Sequence, residues 1–113
     1  MKDKIYFEWV YHVVKQVPTG RVTTYGAIAD YLALGSARMV GWALRNLSDS
    51  SVPAHRVVNS AGYLSGRHHF NPPSLMQEKL QNEGVHIYND KVISFNEKIW
   101  IPADHLRDED IDL

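Results

Sequence analysis

Residues 25–46 hold two short helical periods separated only by Leu34-Gly35-Ser36, and this restricts the chain's fold more than any other feature. The spacing predicts one helix over 25–33, with Ile28, Ala29 and Leu32 inward, and a second over 37–46. Helices this short are marginal alone in water and must bury apolar faces against neighbours. Two of them joined by a glycine-bearing turn make a helix-turn-helix candidate. Upstream, Ile5, Trp9 and Val13 recur at helical spacing with Val10, Val14 and Val17 beside them, which predicts a helix over 3–17. Pro18-Thr-Gly20 stops it, Arg21 to Thr24 reads as extended, and Thr24 is placed to cap the next helix.

Downstream the periods shorten. Residues 52–58 read as a loop entering a strand, 59–62 as a turn, and Tyr63-Leu64 as a strand pairing back. Residues 65–73 read as a loop. A helix over 74–83 turns Leu75, Met76 and Leu80 inward and ends at Gly84 as its C-cap, and strands 85–88 and 92–95 flank Asn89-Asp90. The expected fold class is mostly α with short β elements, a winged helix-turn-helix DNA-binding domain over residues 1–103. Residues 104–113 are expected to form a disordered acidic tail. At 113 residues there is room for one such domain.

The third helix carries the functional signal. Met39, Val40, Ala43, Leu44 and Leu47 fall on one face, and Arg38, Gly41, Trp42 and Arg45 on the other. The formal net charge of −1 argues against nucleic acid, but its distribution does not. Outside residues 104–113 there are 11 basic and 8 acidic residues. Between Arg21 and Arg67 every basic residue is an arginine, the side chain suited to bidentate phosphate and base-edge contacts. A solvated basic face is the plain alternative. No cysteine occurs, which removes disulfides, thiolate chemistry and Cys-based zinc sites. No apolar run reaches the ~18 residues of a membrane span. The opening Met-Lys-Asp-Lys leads into an amphipathic stretch without a signal-peptide core, so an intracellular protein (cytoplasm or nucleoid) is expected. His68, His69 and His86 read as solvated loop residues; neither a metal nor a cofactor is expected.

Four spaced elements agree in order: Thr24-Tyr25-Gly26, Ala37 to Gly41, Pro53-Ala-His-Arg-Val-Val-Asn59 and Glu83-Gly84. Over about residues 5–101 the chain resembles the DNA-binding domain of the O6-alkylguanine-DNA alkyltransferases. Those proteins carry a cysteine between the proline and histidine of the third element and move an alkyl group onto it from an extruded guanine. Ala54 stands there in this chain, so the nearer resemblance is to the alkyltransferase-like proteins, which lack the nucleophile. Many of these have Trp at that position, and Ala54 departs from that form.

The resemblance implies roles residue by residue. Arg38 matches the arginine that fills the space left by the extruded base, and Tyr25 the tyrosine that rotates the phosphate beside it. Gly41, Trp42 and Arg45 belong to the recognition helix, where Trp42 replaces a residue that is often small. Pro53, Ala54, His55 and Arg56 match the lesion pocket. Arg67 matches an arginine that alkyltransferase-like proteins place near the base. Asn46, His55 and Glu83 match the remnant of the relay that activates the cysteine. Alkyl transfer needs a soft nucleophile that this chain does not have.

The implied function is non-enzymatic: binding and flipping out O6-alkylguanine in double-stranded DNA and flagging it for nucleotide excision repair. Expected partners are lesion-bearing duplex and nucleotide excision repair proteins, with no membrane and a monomeric state. Two other classes stay open at the level of sequence. One is a winged-helix transcription regulator, which predicts sequence-specific binding and usually a dimer. The other is a hydrolase using His55 and Glu83.

Overall fold

Val10, Val13, Val14 and Val17 line one side of the first helical period and are almost wholly removed from solvent. Burying each stabilises the fold by roughly 1.5–3 kcal/mol. Val10, Val13 and Val14 belong to α1 (Ile5–Gln16), with Val17 just past its end; α1 is the first element in a computed structural model that describes residues 5–107. Residues 3–4 of the expected helix, the side chain of Ile5 and residues 108–113 of the expected tail lie outside the described residues. Then follow β1 (Thr23–Thr24), α2 (Tyr25–Tyr31), α3 (Ala37–Arg45), a single 3-10 turn (Ala54–Arg56) and β2 (Val57–Val58). A second 3-10 turn (Arg67–His69), α4 (Ser74–Asn82), β3 (Ile87–Tyr88), β4 (Lys91–Val92), α5 (Phe95–Lys98) and α6 (Pro102–His105) complete the order.

The expected helix-turn-helix is α2 and α3, both packed on α1. Thr24 caps α2 as anticipated, its hydroxyl accepting the Ala27 amide at 3.0 Å. The turn itself is built differently. α2 ends at Tyr31, the Ala33 amide donates to the Asp30 carbonyl and the Leu34 amide to Ala29. This is the Schellman arrangement, and its left-handed position is Ala33 (φ 56), not Gly35. From α1, the Tyr11 hydroxyl donates to the Ala43 carbonyl and ties α1 to α3.

The strands also depart from expectation. β2 pairs in parallel with β1, Thr23 opposite Val57 and Thr24 opposite Val58, and does not form a hairpin with Tyr63-Leu64. Asn59 holds the intervening turn closed with its side chain, and Tyr63 bridges to Lys91 instead. β3 and β4 form the expected antiparallel wing, with Asn89 and Asp90 both at positive φ. Two central residues at positive φ match the right-handed twist of a hairpin, and Asn and Asp tolerate that region. The strand expected through Phe95 stops at Val92, and Phe95 begins α5.

Two clusters form the core. One joins α1, α2 and α3 through residues such as Val13, Ile28, Val40 and Ala43; the other joins α4 and the wing through Leu64, Met76, Leu80 and Val92. Val57 enters the first cluster and Val58 the second, since successive strand residues point to opposite faces. The two-residue strand β2 is therefore the seam of the molecule. At the far end, α6 packs on α2, and the His105 ring stacks on Trp100 with centroids 5.0 Å apart. Asp104 and His105 lie in α6.

Candidate functional site

α3 sorts its side chains as the periodicity requires. Val40 and Ala43 are buried, while Arg38, Trp42 and Arg45 are exposed, the indole by 52%. Neither Arg38 nor Arg45 makes a hydrogen bond or ion pair among the described residues. Between them Gly41 faces open space, where a Cβ would meet nothing within 4 Å. The result is a cationic face with a flat backbone patch in its middle. Asn46 stands apart from the expected relay: its amide donates to the Trp42 carbonyl at 2.8 Å and closes the end of α3.

Behind α3 lies a cavity of about 180 Å³ at the seam between the two cores. Leu44, Leu47 and Val52 come to it from the helical side, Met76 and Phe70 from the α4 side, and Ala54 and His55 from the 3-10 turn between. Tyr25 lines it from the first residue of α2. The phenol of Tyr25 hydrogen-bonds Ser65, while burial raises its pKa. A Cβ at Gly66 would sit 2.6 Å from the Tyr25 oxygen, so glycine there lets the loop close over the ring. A larger hollow, about 510 Å³ between Ala61 and residues 88–97, contains none of the residues singled out from the sequence.

Next to the cavity-lining His55, Glu83 joins the 3-10 turn to the end of α4. His55 Nε2 lies 2.9 Å from Glu83 Oε2, and Arg56 binds the same carboxylate through Nε at 3.0 Å and Nη2 at 2.7 Å. Burial opposes the charge on Glu83, but the hydrogen bonds from Arg56 and then His55 outweigh it and hold the pKa at about 2. Burial likewise pushes His55 below its usual value, against the upward pull of Glu83. At neutral pH the pair is therefore a carboxylate and a neutral imidazole that donates from Nε2, which leaves Nδ1 an acceptor.

Several residues expected in the pocket do not line it. Arg56 points away, to Glu83, the Val17 carbonyl at 2.8 Å and the Thr19 hydroxyl at 3.0 Å. The bidentate partner makes a structural clamp of a side chain expected at the lesion. Pro53 caps the 3-10 turn, and Arg67 donates to the Leu64 carbonyl and leans toward Asp90 across 3.9 Å. Arg21 is engaged with the Glu97 carbonyl at 2.7 Å. Conversely, the cavity-lining Lys79, Gly66 and Ser48–Ser50 loop, and Ser65 on the Tyr25 phenol, were not legible as site residues. Lys79 had a signal: it lies three residues after Met76, on the same face of one helix.

The family model of the 6-O-methylguanine DNA methyltransferase DNA-binding domain matches residues 6–85. The chain belongs to this family. Every residue lining the cavity, from Tyr25 to Lys79, falls inside the matched region, as does Glu83 beside it. Among relatives of the family, the chain is 37% identical over 108 residues to alkyltransferase-like protein 1 of Schizosaccharomyces pombe, covering 90% of this chain and all of that one. It is 37% identical to a DNA base-flipping protein of Vibrio parahaemolyticus, over 82% of this chain and 93% of the relative. Its structure is similar to that of S. pombe Atl1 in complex with damaged DNA containing O6-carboxymethylguanine. The TM-score is 0.76 at 36% identity, over 84% of this chain and 94% of the other. Within the family fold, α2 and α3 are the helix-turn-helix and β3–β4 the wing. No described helix is long and apolar enough to cross a membrane.

Proposed function

We propose that this protein binds duplex DNA containing O6-alkylguanine, extrudes the modified nucleotide into the cavity behind α3, and holds it there with its alkyl group intact. One observation carries the reading. Ala54, which the resemblance of Pro53-Ala-His-Arg matches to the alkyl acceptor, lies on the wall of a cavity with the paired His55 and Glu83 beside it, in a chain without cysteine. A recognition site without its nucleophile suits a reader of damage. A small apolar side chain leaves room for a group on O6.

In this reading α3 approaches the duplex through its minor groove, with Gly41 allowing the backbone close. Arg38 enters the stack and replaces the lost contacts of the extruded base, by planar stacking and hydrogen bonding. Extrusion costs a few kcal/mol, and less for a damaged base. Tyr25, held by Ser65 at the cavity, turns the adjacent phosphate. Trp42 and Arg45 extend the contact along the backbone without reading sequence. Bound lesion would then be passed to nucleotide excision repair. His55 Nδ1 serves as an acceptor on the cavity wall, while Arg56 and Glu83 set its orientation.

Competition between an O6-methylguanine duplex and its unmodified twin at one stated salt concentration tests the reading. Lesion preference is expected, together with an intact-protein mass unchanged after incubation. Equal affinities, or a methyl adduct on the chain, would overturn it. In the Ala54→Cys variant, lesion binding should persist, because the change adds a single sulfur atom to the methyl group of Ala54.

A further inference from the structure

The cavity contains a cation that the helix-turn-helix reading does not use. Lys79 reaches it from α4, half-buried, one turn beyond the fully buried Met76 that forms the apolar wall. Glu83 follows four residues later, the usual partner for such a lysine on a helix. Here its carboxylate is already occupied by His55 Nε2, Arg56 Nε and Arg56 Nη2. Lys79 is left with no hydrogen bond or ion pair among the described residues.

The carboxylate that does line the cavity, Asp49, does not answer it. Asp49 Oδ1 accepts both the amide and the hydroxyl of Ser51, at 2.9 and 2.7 Å, and Oδ2 lies 4.0 Å from Lys15. Asp49 is also exposed at the rim, while the imidazole of His55 is neutral at pH 7. Lys79 thus brings to the cavity lining a positive charge that no described carboxylate answers, and a ligand of opposite charge would pair with it.

We propose that Lys79 is a specificity-determining residue, which makes the cavity prefer O6 substituents that end in a carboxylate. The inference rests on the damage-reading function above. The guanine edge is recognised by the small wall at Ala54, and the far end of the adduct pairs with Lys79 Nζ through a charge-assisted hydrogen bond. Neutral alkyl groups still enter along Met76 and Val52 but leave the ammonium unpaired. Adducts ending in an amine would be disfavoured.

Four duplexes differing in one guanine separate the possibilities: unmodified, O6-methyl, O6-carboxymethyl and O6-carbamoylmethyl. The last two are nearly isosteric and differ in charge. Wild-type protein is expected to bind the carboxymethyl duplex about tenfold more tightly than the carbamoylmethyl one. Lys79→Met should bring that ratio to about one while changing O6-methylguanine affinity by less than about twofold, and Lys79→Arg should keep most of the ratio. A wild-type ratio near one, or a ratio unchanged in Lys79→Met, overturns the proposal. So does a uniform loss over all four duplexes, which would put Lys79 on a phosphate. Should the Met variant fail to fold, the wild-type ratio and Lys79→Gln decide. A retained preference for O6-methylguanine with a flat charge ratio sinks only the role of Lys79. Loss of that preference in wild-type protein sinks the damage-reading function itself.

Discussion

Gly41 sits between Arg38 and Arg45 on the outward side of α3, and the fold gives no packing reason for a glycine there. Glycine inside a helix costs about 0.5–1 kcal/mol relative to alanine. Gly41→Ala should therefore raise stability by about that amount in denaturant titrations, and at the same time weaken duplex binding severalfold. A gain in stability with unchanged binding would remove close backbone approach from the account. The two arginines outside and inside the helix give a second contrast. Arg38 is free to enter the duplex, whereas Arg21 is tied to the Glu97 carbonyl. Arg38→Ala is expected to lower lesion affinity by about tenfold or more, and Arg21→Ala by a few-fold regardless of the lesion. Equal losses in a filter-binding or anisotropy titration would remove the finger role from Arg38.

At the scale of elements, the turn between α2 and α3 is the most informative piece. Its Schellman hydrogen bonds require a left-handed residue, and the chain supplies alanine. Gly35, three residues after the cap of Thr24's helix has run out at Leu32, takes no such conformation. Ala33→Gly should stabilise the protein by roughly 0.5–1 kcal/mol, since relief of the left-handed strain exceeds the added freedom of the unfolded chain. Thermal unfolding at fixed pH checks it; a lower melting temperature would contradict the assigned turn. The sequence announced a turn here through Gly35 but not which residue bends. That choice follows from where α2 must stop for Leu34 to pack on the first core cluster.

For the whole molecule, Glu83 is the joint between the α4 half and the α1 half, because Arg56 carries its charge to the Val17 carbonyl. The folded-state pKa of Glu83 lies near 2, below its ordinary 4.5, so the unfolded chain binds the proton more readily. Its contribution is complete above about pH 4.5 and is lost as pH falls toward 2. His55 works in the same direction from higher pH: its pKa is depressed from 6.5, so stability starts to fall as acidification passes that value. Wild-type protein is expected to lose stability in these two acid steps, and Glu83→Gln to lose the lower one and start from a lower melting temperature. An unchanged acid profile in that variant, followed by circular dichroism, would disconnect Glu83 from the joint.

Periodicity alone determined the helices around Val13, Ile28 and Val40, the cap at Thr24, the stop at Gly84 and the Asn89-Asp90 turn, because each depends on residues within a few positions of one another. It also determined which face of α3 is cationic. Tertiary structure decided what pairs with Val57-Val58, because a two-residue parallel strand has no local signal and takes its partner from a segment more than thirty residues away. It decided, too, that Arg56 clamps Glu83 while Lys79 enters the cavity. Lys79 is four positions from Glu83 and Arg56 is 27, yet the fold brings the distant cation onto the carboxylate oxygens.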